Sequence, residues 1–321
     1  MSGMFLETGP AATPATIRRD VRSLARPRAL PVAKRQSGYG VDSEYGRLEA
    51  VLLADPRHLA LVPCNSVSNE SIREGRTPCL DRAVRQHSGL VTALRSEGVE
   101  VTLVPADTGL PDLAFTRDTS LMTPWGLIGL RPGADHRVRE VDAVMTAAAA
   151  AGVPVLGRIQ EGRVEGGDVA ILRPGLLLIG ISGERTDEAG AKSLGAIFKR
   201  KGWEVLTYRF DPHFLHLDTL FCLADRNLAM ACSDVLEASL LTRLDALGID
   251  VMPVSYKEAR LLGCNLVALG DRRVLTAGTC SRIDAELAVR GYRAIAVDLS
   301  EFTKCGGGAH CLTMPLRRSP G

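Results

Sequence analysis

The stretch Glu165–Ser182, EGGDVAILRPGLLLIGIS, opens on an acidic, glycine-rich turn and continues as two apolar strands hinged at Pro174–Gly175. Turn residues flanked by apolar runs are the signature of a strand pair. The same plan returns in FTRDTSLMTPWGLIGL (115–130), HLDTLFCLADRNLAMACS (216–233) and GCNLVALGDRRVLTAG (263–278). GGGAHCLTMPL (306–316) begins a fifth pair. Each of the four complete pairs leads into a helical pattern, over residues 135–151, 187–201, 234–247 and 281–290. A short apolar strand then closes the unit: VPVLGR, WEVLTYRF, IDVMPVS and YRAIAVDL. Upstream, LEAVLLA from Leu48 reads as a strand, 81–97 as an amphipathic helix and VEVTLVP as a strand. The natural partner of the fifth pair is therefore the strand at Leu48, which closes a ring.

The repeat has a measurable phase. Asp118, Asp168, Asp218, Asn265 and Cys311 stand just before or at the start of the first strand of each pair, at spacings of 50, 50, 47 and 46. Near-equal periods in this range predict an α/β-propeller or array rather than two unrelated domains. Five units about an axis would bring those five positions to one centre. Polar groups entering apolar strands are costly to bury unless they are paired or used. The phase thus points to a central site.

Composition narrows the functional classes. The chain has 321 residues, 45% hydrophobic and 24% charged, with a net charge of +2. That balance gives no pull toward nucleic acid or anionic membranes. The longest apolar run, Gly175–Ser182, is strand-sized, so no transmembrane helix is expected. Residues 1–42 carry Pro10, Pro14, Pro27, Pro31 and five arginines between Arg18 and Arg28, and predict a flexible basic tail. Residues 43–321 then form a single catalytic domain. The opening residues lack the pattern of a secretory signal, and eight cysteines are too few for a disulfide scaffold. A cytoplasmic protein with reduced thiols is expected, and a homo-oligomer is compatible with the sequence.

Three chemistries compete for KCGGGAHC, residues 304–311. Cys305, His310 and Cys311 lack the CxxC spacing of a structural zinc site, and there is no HExxH, so no metal is expected. The glycines match neither the Walker spacing nor GxGxxG, so no nucleotide is expected either. Thiol catalysis needs an activated cysteine, a base and groups that hold the substrate. Cys311 lies in phase with Asp118, Asp168 and Asp218, and with Glu165 and His216 close by in sequence to two of these. One thiol, one imidazole and several carboxylates suit a planar cation, because carboxylates pair bidentately with guanidinium. If Cys311 opens a strand, His310 points to the opposite face and is a structural residue. The other cysteines, Cys305 included, are expected to be filler or peripheral. His216 and Asp218, two apart, would share a strand face.

Five motifs in order, FTRD (115–118), EGGDV (165–169), GERT (183–186), HLDT (216–219) and GGGAHCLT (306–313), resemble the guanidine-modifying enzymes of the pentein superfamily. This superfamily comprises arginine deiminases, dimethylarginine dimethylaminohydrolases and amidinotransferases. The resemblance spans roughly residues 43–317 and implies a five-bladed α/β-propeller and no cofactor. It implies that Cys311 is the nucleophile, His216 the general acid/base, and Glu165 the carboxylate that orients His216. Asp118 and Asp218 would grip the guanidinium nitrogens, and Arg185 and Arg137 would meet a substrate carboxylate. Phe115 and Asp168 are counted with the binding residues, Asp168 as support for its loop.

Within the superfamily the signs are mixed. The compact length resembles dimethylarginine hydrolases, whereas HLDT is the deiminase and amidinotransferase form. An acidic Asp218 suits an unsubstituted NH2. Asp112 stands where deiminases carry an asparagine near the substrate carboxylate, and an aspartate there tells against plain L-arginine. The segment Leu61–Leu80 has no counterpart and falls where a substrate-covering loop is expected. The expected activity is hydrolysis of an arginine- or methylarginine-like guanidine to a ureido product. Amidino transfer to an acceptor amine is the alternative, and a catalytically dead binding propeller is the third reading.

Overall fold

A computed structural model describes residues 38–321. Among these, fifteen strands form five three-stranded sheets. The first contains β1 (Leu48–Ala54) and β2 (Glu100–Val104). The next three are β3 (Ser120–Thr123), β4 (Gly126–Gly129) and β5 (Val155–Arg158); β6 (Val169–Arg173), β7 (Leu176–Ile181) and β8 (Glu204–Arg209); and β9 (Phe221–Asp225), β10 (Leu228–Cys232) and β11 (Asp250–Val254). The fifth is β12 (Val267–Gly270), β13 (Arg273–Thr276) and β14 (Arg293–Ala296). The last strand, β15 (Met314–Arg318), returns to pair antiparallel with β1, with Leu52 opposite Met314, and completes the first sheet.

Each sheet pairs its first two strands antiparallel and adds the third in parallel, as in β6–β7–β8. A parallel neighbour needs a crossover, and a helix supplies it each time. These helices are Leu80–Ser96, Val138–Ala150, Glu188–Arg200, Ala238–Ala246 and Ser281–Val289, close to the expected spans. Burial falls from the inside outward: β3 and β4 are wholly buried, whereas all four residues of β5 are exposed. This is the five-bladed α/β-propeller that the repeat predicts, with its inner strands around the axis.

The basic tail expected over 1–42 lies outside the described residues up to residue 37. Its last residues belong to the domain. Gly40 donates to Leu316 O and accepts from Arg318 N, and Val41 is buried. The domain therefore begins before residue 43. Among the described residues no helix is long and apolar enough to cross a membrane.

The in-phase residues occupy short turns ahead of the strands rather than the strands themselves. Asp118 lies in the 3-10 turn Thr116–Thr119, Asp168 in Gly166–Asp168 and Asp218 in Leu217–Thr219. Cys311 lies in a four-residue helix, Ala309–Leu312, just before β15. The expected strand geometry at His310–Cys311 and at His216–Asp218 is thus corrected. After Gly308 the chain turns helical, and Thr313 Oγ1 caps it by donating to Ala309 O at 2.8 Å.

The turns stitch neighbouring blades together. Asp118 Oδ1 accepts from Gly167 N at 3.1 Å, and Asp168 Oδ1 accepts from Leu217 N at 2.9 Å. Asn265 Oδ1 accepts from His310 N at 3.0 Å. In each case the in-phase side chain binds the backbone one residue before the next in-phase position. Thr116 Oγ1, donating to Leu312 O, closes the circle. The period of about 50 residues is therefore also a structural device.

A buried ion pair lies inside this ring. Arg117 Nη2 donates to Glu44 Oε1 at 2.7 Å and to Val169 O at 3.0 Å. Burial alone would raise the Glu44 carboxyl; Arg117 and His310 outweigh it and hold it well below the usual range. Glu44→Gln should therefore leave Arg117 as an uncompensated buried charge and cost about 3–5 kcal/mol. A urea or thermal melt measures this, and an unchanged midpoint would refute it.

Candidate active site

The turns deliver their polar side chains to one cleft. Phe115, Asp118, Arg137, Arg185, His216 and Cys311 line it, as the sequence leads one to expect. Glu165 stands behind His216, with Oε2 2.6 Å from Nε2, and its Oε1 accepts from Gly133 N at 2.8 Å. Asp218 lies beside the thiol, its Oδ2 3.5 Å from Cys311 Sγ. Asn265 Nδ2 donates to the same sulfur at 3.2 Å and to Asp218 O at 3.2 Å. Neither Asp168 nor Asp218 lines the cleft; the Asp168 carboxylate holds the backbone of the HLDT turn, and Asp218 borders a second cavity.

The two arginines are already engaged. Arg137 donates to Asp118 Oδ2 at 2.6 Å, to Glu140 Oε2 at 2.9 Å and to Phe115 O at 2.8 Å. It is 3% exposed, so its visible work is to aim Asp118 rather than to reach a substrate carboxylate. Arg185 contacts both Glu165 oxygens at 3.4 Å and donates to Cys64 O at the rim.

The segment Leu61–Leu80 borders the cleft and forms a helix at Ser66–Arg73. It contributes Cys64 and Asn65 to the lining, and Asn65 Nδ2 pins it by donating to Cys305 O at 3.0 Å. Cys64 and Cys305 are thus at the site, not in remote packing. Asp112 also lines the cleft, with Oδ2 2.7 Å from His136 Nε2. None of these three carries a motif of its own.

The glycines serve packing. A Cβ at Gly307 would enter the Phe115 ring, and one at Gly308 would sit 2.7 Å from Asn265 Oδ1. The triple glycine lets the turn that carries Cys311 pass beneath Phe115 and Asn265. At Gly167, a Cβ would lie 2.7 Å from the His216 ring and 2.9 Å from Asp118 Oδ1. Gly167→Ala should therefore displace His216 and lower turnover at least about tenfold, with a stability loss of about 1–3 kcal/mol. Wild-type turnover in this variant would contradict the packing argument.

Charge sets the protonation states. Burial depresses the His216 imidazole, but Asp118 and the bond to Glu165 overcome it and raise it to about 10. His216 is therefore an imidazolium at neutral pH. Its Nδ1 has no hydrogen-bond partner among the described residues and stands 3.6 Å from Asp118 Oδ1. The Cys311 thiol is pushed well above its ordinary value, first by burial and then by Asp218 and Asp118. It is a neutral thiol while the cleft holds no cation.

Among the described residues, two groups have donor atoms within 4.8 Å of one another, close enough to hold a metal ion: Asp118–Glu165–His216 and Cys64–Asp112–His136. In the first, Arg137 and Arg185 already supply positive charge to the carboxylates. All eight cysteines are free.

The sequence matches the family described as N,N dimethylarginine dimethylhydrolase, eukaryotic, over residues 56–318. The uncharacterized protein YkgA of Bacillus subtilis is 31% identical over 86% of this chain and 94% of its own. A cysteine-to-serine variant of the Pseudomonas aeruginosa dimethylarginine enzyme, complexed with citrulline, superposes with a TM-score of 0.70 at 27% identity. That match covers 84% of this chain and 99% of the other. The N-terminal domain of ArgZ, a cyanobacterial arginine dihydrolase bound to product, gives a TM-score of 0.74 at 25% identity. It covers 84% of this chain and 97% of the other. Both are hydrolases of guanidino compounds, and amidino transfer is not favoured. This chain is a hydrolase acting on guanidino C–N bonds, and it belongs to the N,N dimethylarginine dimethylhydrolase family of the pentein superfamily.

Proposed function

We propose that the enzyme cleaves an arginine- or methylarginine-like guanidine through a covalent thiouronium on Cys311. The observation that carries this reading is the meeting, at one cleft, of a neutral buried thiol, a protonated imidazole and the Asp118 carboxylate, with the Asp218 carboxylate against the thiol. A guanidinium held between Asp118 and Asp218 neutralises the charges that keep the thiol protonated. The thiolate then forms where its target is bound, and its proton leaves to solvent.

Sulfur attacks the guanidinium carbon, forming the C–S bond. His216 gives its proton to the departing nitrogen as the C–N bond breaks, and the amine or ammonia leaves. The neutral imidazole then takes a proton from water as that water attacks the thiouronium carbon. The C–S bond breaks, releasing a ureido product and the thiolate. Glu165 keeps His216 aimed throughout and favours its cationic form.

Among the cleft's lining residues, Asp112 offers a carboxylate and Arg185 a guanidinium, a pairing that suits the amine and carboxylate of an amino acid. The test is incubation with arginine, its N-methylated derivatives and agmatine, with ureido product measured and intact mass read for an adduct. Product from one or more of these, with a trapped adduct on Cys311, is expected. No ureido product from any of them would overturn the reading.

A further inference from the structure

His310, expected to point away from the chemistry, contacts it directly. Three of the in-phase polar residues spend their side chains on the backbone of the next blade: Asp118, Asp168 and Asn265. Asp218 breaks the pattern. Its Oδ1 is buried and has no hydrogen-bond partner among the described residues. Its Oδ2 instead meets His310 Nδ1 at 2.8 Å, and it is the same oxygen that lies 3.5 Å from Cys311 Sγ. An ionised carboxylate only accepts, so the proton of this bond sits on Nδ1.

The imidazole is itself held from two sides. His310 N donates to Asn265 Oδ1, and its Nε2 stands 3.7 Å from Glu44 Oε2, the carboxylate fixed by Arg117. Glu44, Asp218, His310 and Arg318 all border the second cavity. Burial raises the Asp218 carboxyl, and only the bond from His310 together with the surrounding charges of His310, His216 and Arg117 outweighs it, leaving the group below its ordinary value. Of the two bonds to Asp218 Oδ2, the one from His310 is the shorter and does not come from the reacting group.

We propose that His310 is a positioning residue for C–N cleavage. By donating from Nδ1 to Oδ2, it turns the Asp218 carboxylate so that Oδ1 is left for a guanidinium N–H and Oδ2 borders the nucleophile. The inference rests on the reading that Asp218 grips the guanidinium. It assigns the residue before the nucleophile a task in the reaction rather than in packing.

Three substitutions test it through the place of the donor. His310→Asn keeps an N–H donor near the Nδ1 position and is expected to hold kcat/KM within about fivefold of wild type. His310→Gln moves the donor toward Glu44, and His310→Phe removes it; both are expected to lose about 10- to 100-fold, the range for a hydrogen bond to a charged group. The Asn and Gln comparison stands even if the Phe variant fails to fold. Equal activity in the Asn and Gln variants overturns the proposal, as does wild-type activity in the Phe variant. Asp218→Asn separates the two layers. If it is crippled while His310→Gln is not, only the role of His310 falls. If Asp218→Asn retains wild-type kcat/KM, the guanidinium grip falls and the inference with it.

Discussion

Cys311→Ser should fold like the wild type and lose turnover by about 10^4- to 10^6-fold, the scale on which removal of a nucleophile acts. The side chain is 2% exposed and lies beside Asp218 and Asn265, so a hydroxyl fits the space and keeps a hydrogen-bond partner. What it lacks is acidity. Even with a guanidinium bound, a hydroxyl in this carboxylate-lined pocket stays protonated. The measurement is ureido product per enzyme, with a mass spectrum for the adduct and a melt to confirm folding. A serine variant as active as the wild type would sink the covalent mechanism. Labelling by a haloacetamidine should likewise vanish, because that reagent needs both the guanidine-like grip and the thiolate.

His216→Ala should lose about 10^2- to 10^4-fold in kcat, the usual contribution of a positioned acid and base. It also alters the pH profile in a defined direction. In the wild type the thiolate grows as pH rises, so kcat/KM climbs from neutral pH. It falls again as His216 gives up its proton at about 10, because the leaving nitrogen then finds no acid. The variant keeps the rising limb and loses the falling one. A falling limb that survives the substitution would assign the acid to another group. Glu165 supports this role from behind, since its bond to Nε2 helps keep the imidazole charged.

Much of this machinery could be read from spacing. The hairpin, helix and strand order recurs with a period that places Cys311, Asp118 and Asp218 at equivalent points, and the blades follow it. The period also misleads. Asp168 shares the phase, yet its carboxylate binds Leu217 N and never reaches the cleft. A buried acid at a repeated position has two ways to be satisfied, and stitching blades is the one that recurs. Asp218, whose Oδ1 is left over, departs from that rule.

What could not be read depended on backbone details too short to show a pattern. A strand at Cys311 would send His310 to the opposite face; four residues of helix bring both toward Asp218. Glu44 and Arg117 are 73 residues apart in the chain, and no local periodicity joins them. Cys64 and Asn65 reach the cleft on a segment whose sequence resembles nothing diagnostic. These contacts are tertiary, and local sequence does not encode them.

The pairing of β15 with β1 carries a consequence for timing. The two strands are more than 250 residues apart, so their contact has the largest loop-closure cost in the domain and belongs to the late steps of folding. Cys311 rides on the turn that leads into β15, whereas His216, Glu165 and Asp118 sit on the middle blades. An open ring can thus hold His216, Glu165 and Asp118 in place while the thiol is still out of place. Alkylation of Cys311 by a guanidine-like reagent becomes a clock for closure. During refolding it should lag behind the return of helical signal, and the last stitch of the ring should be the one that switches the enzyme on.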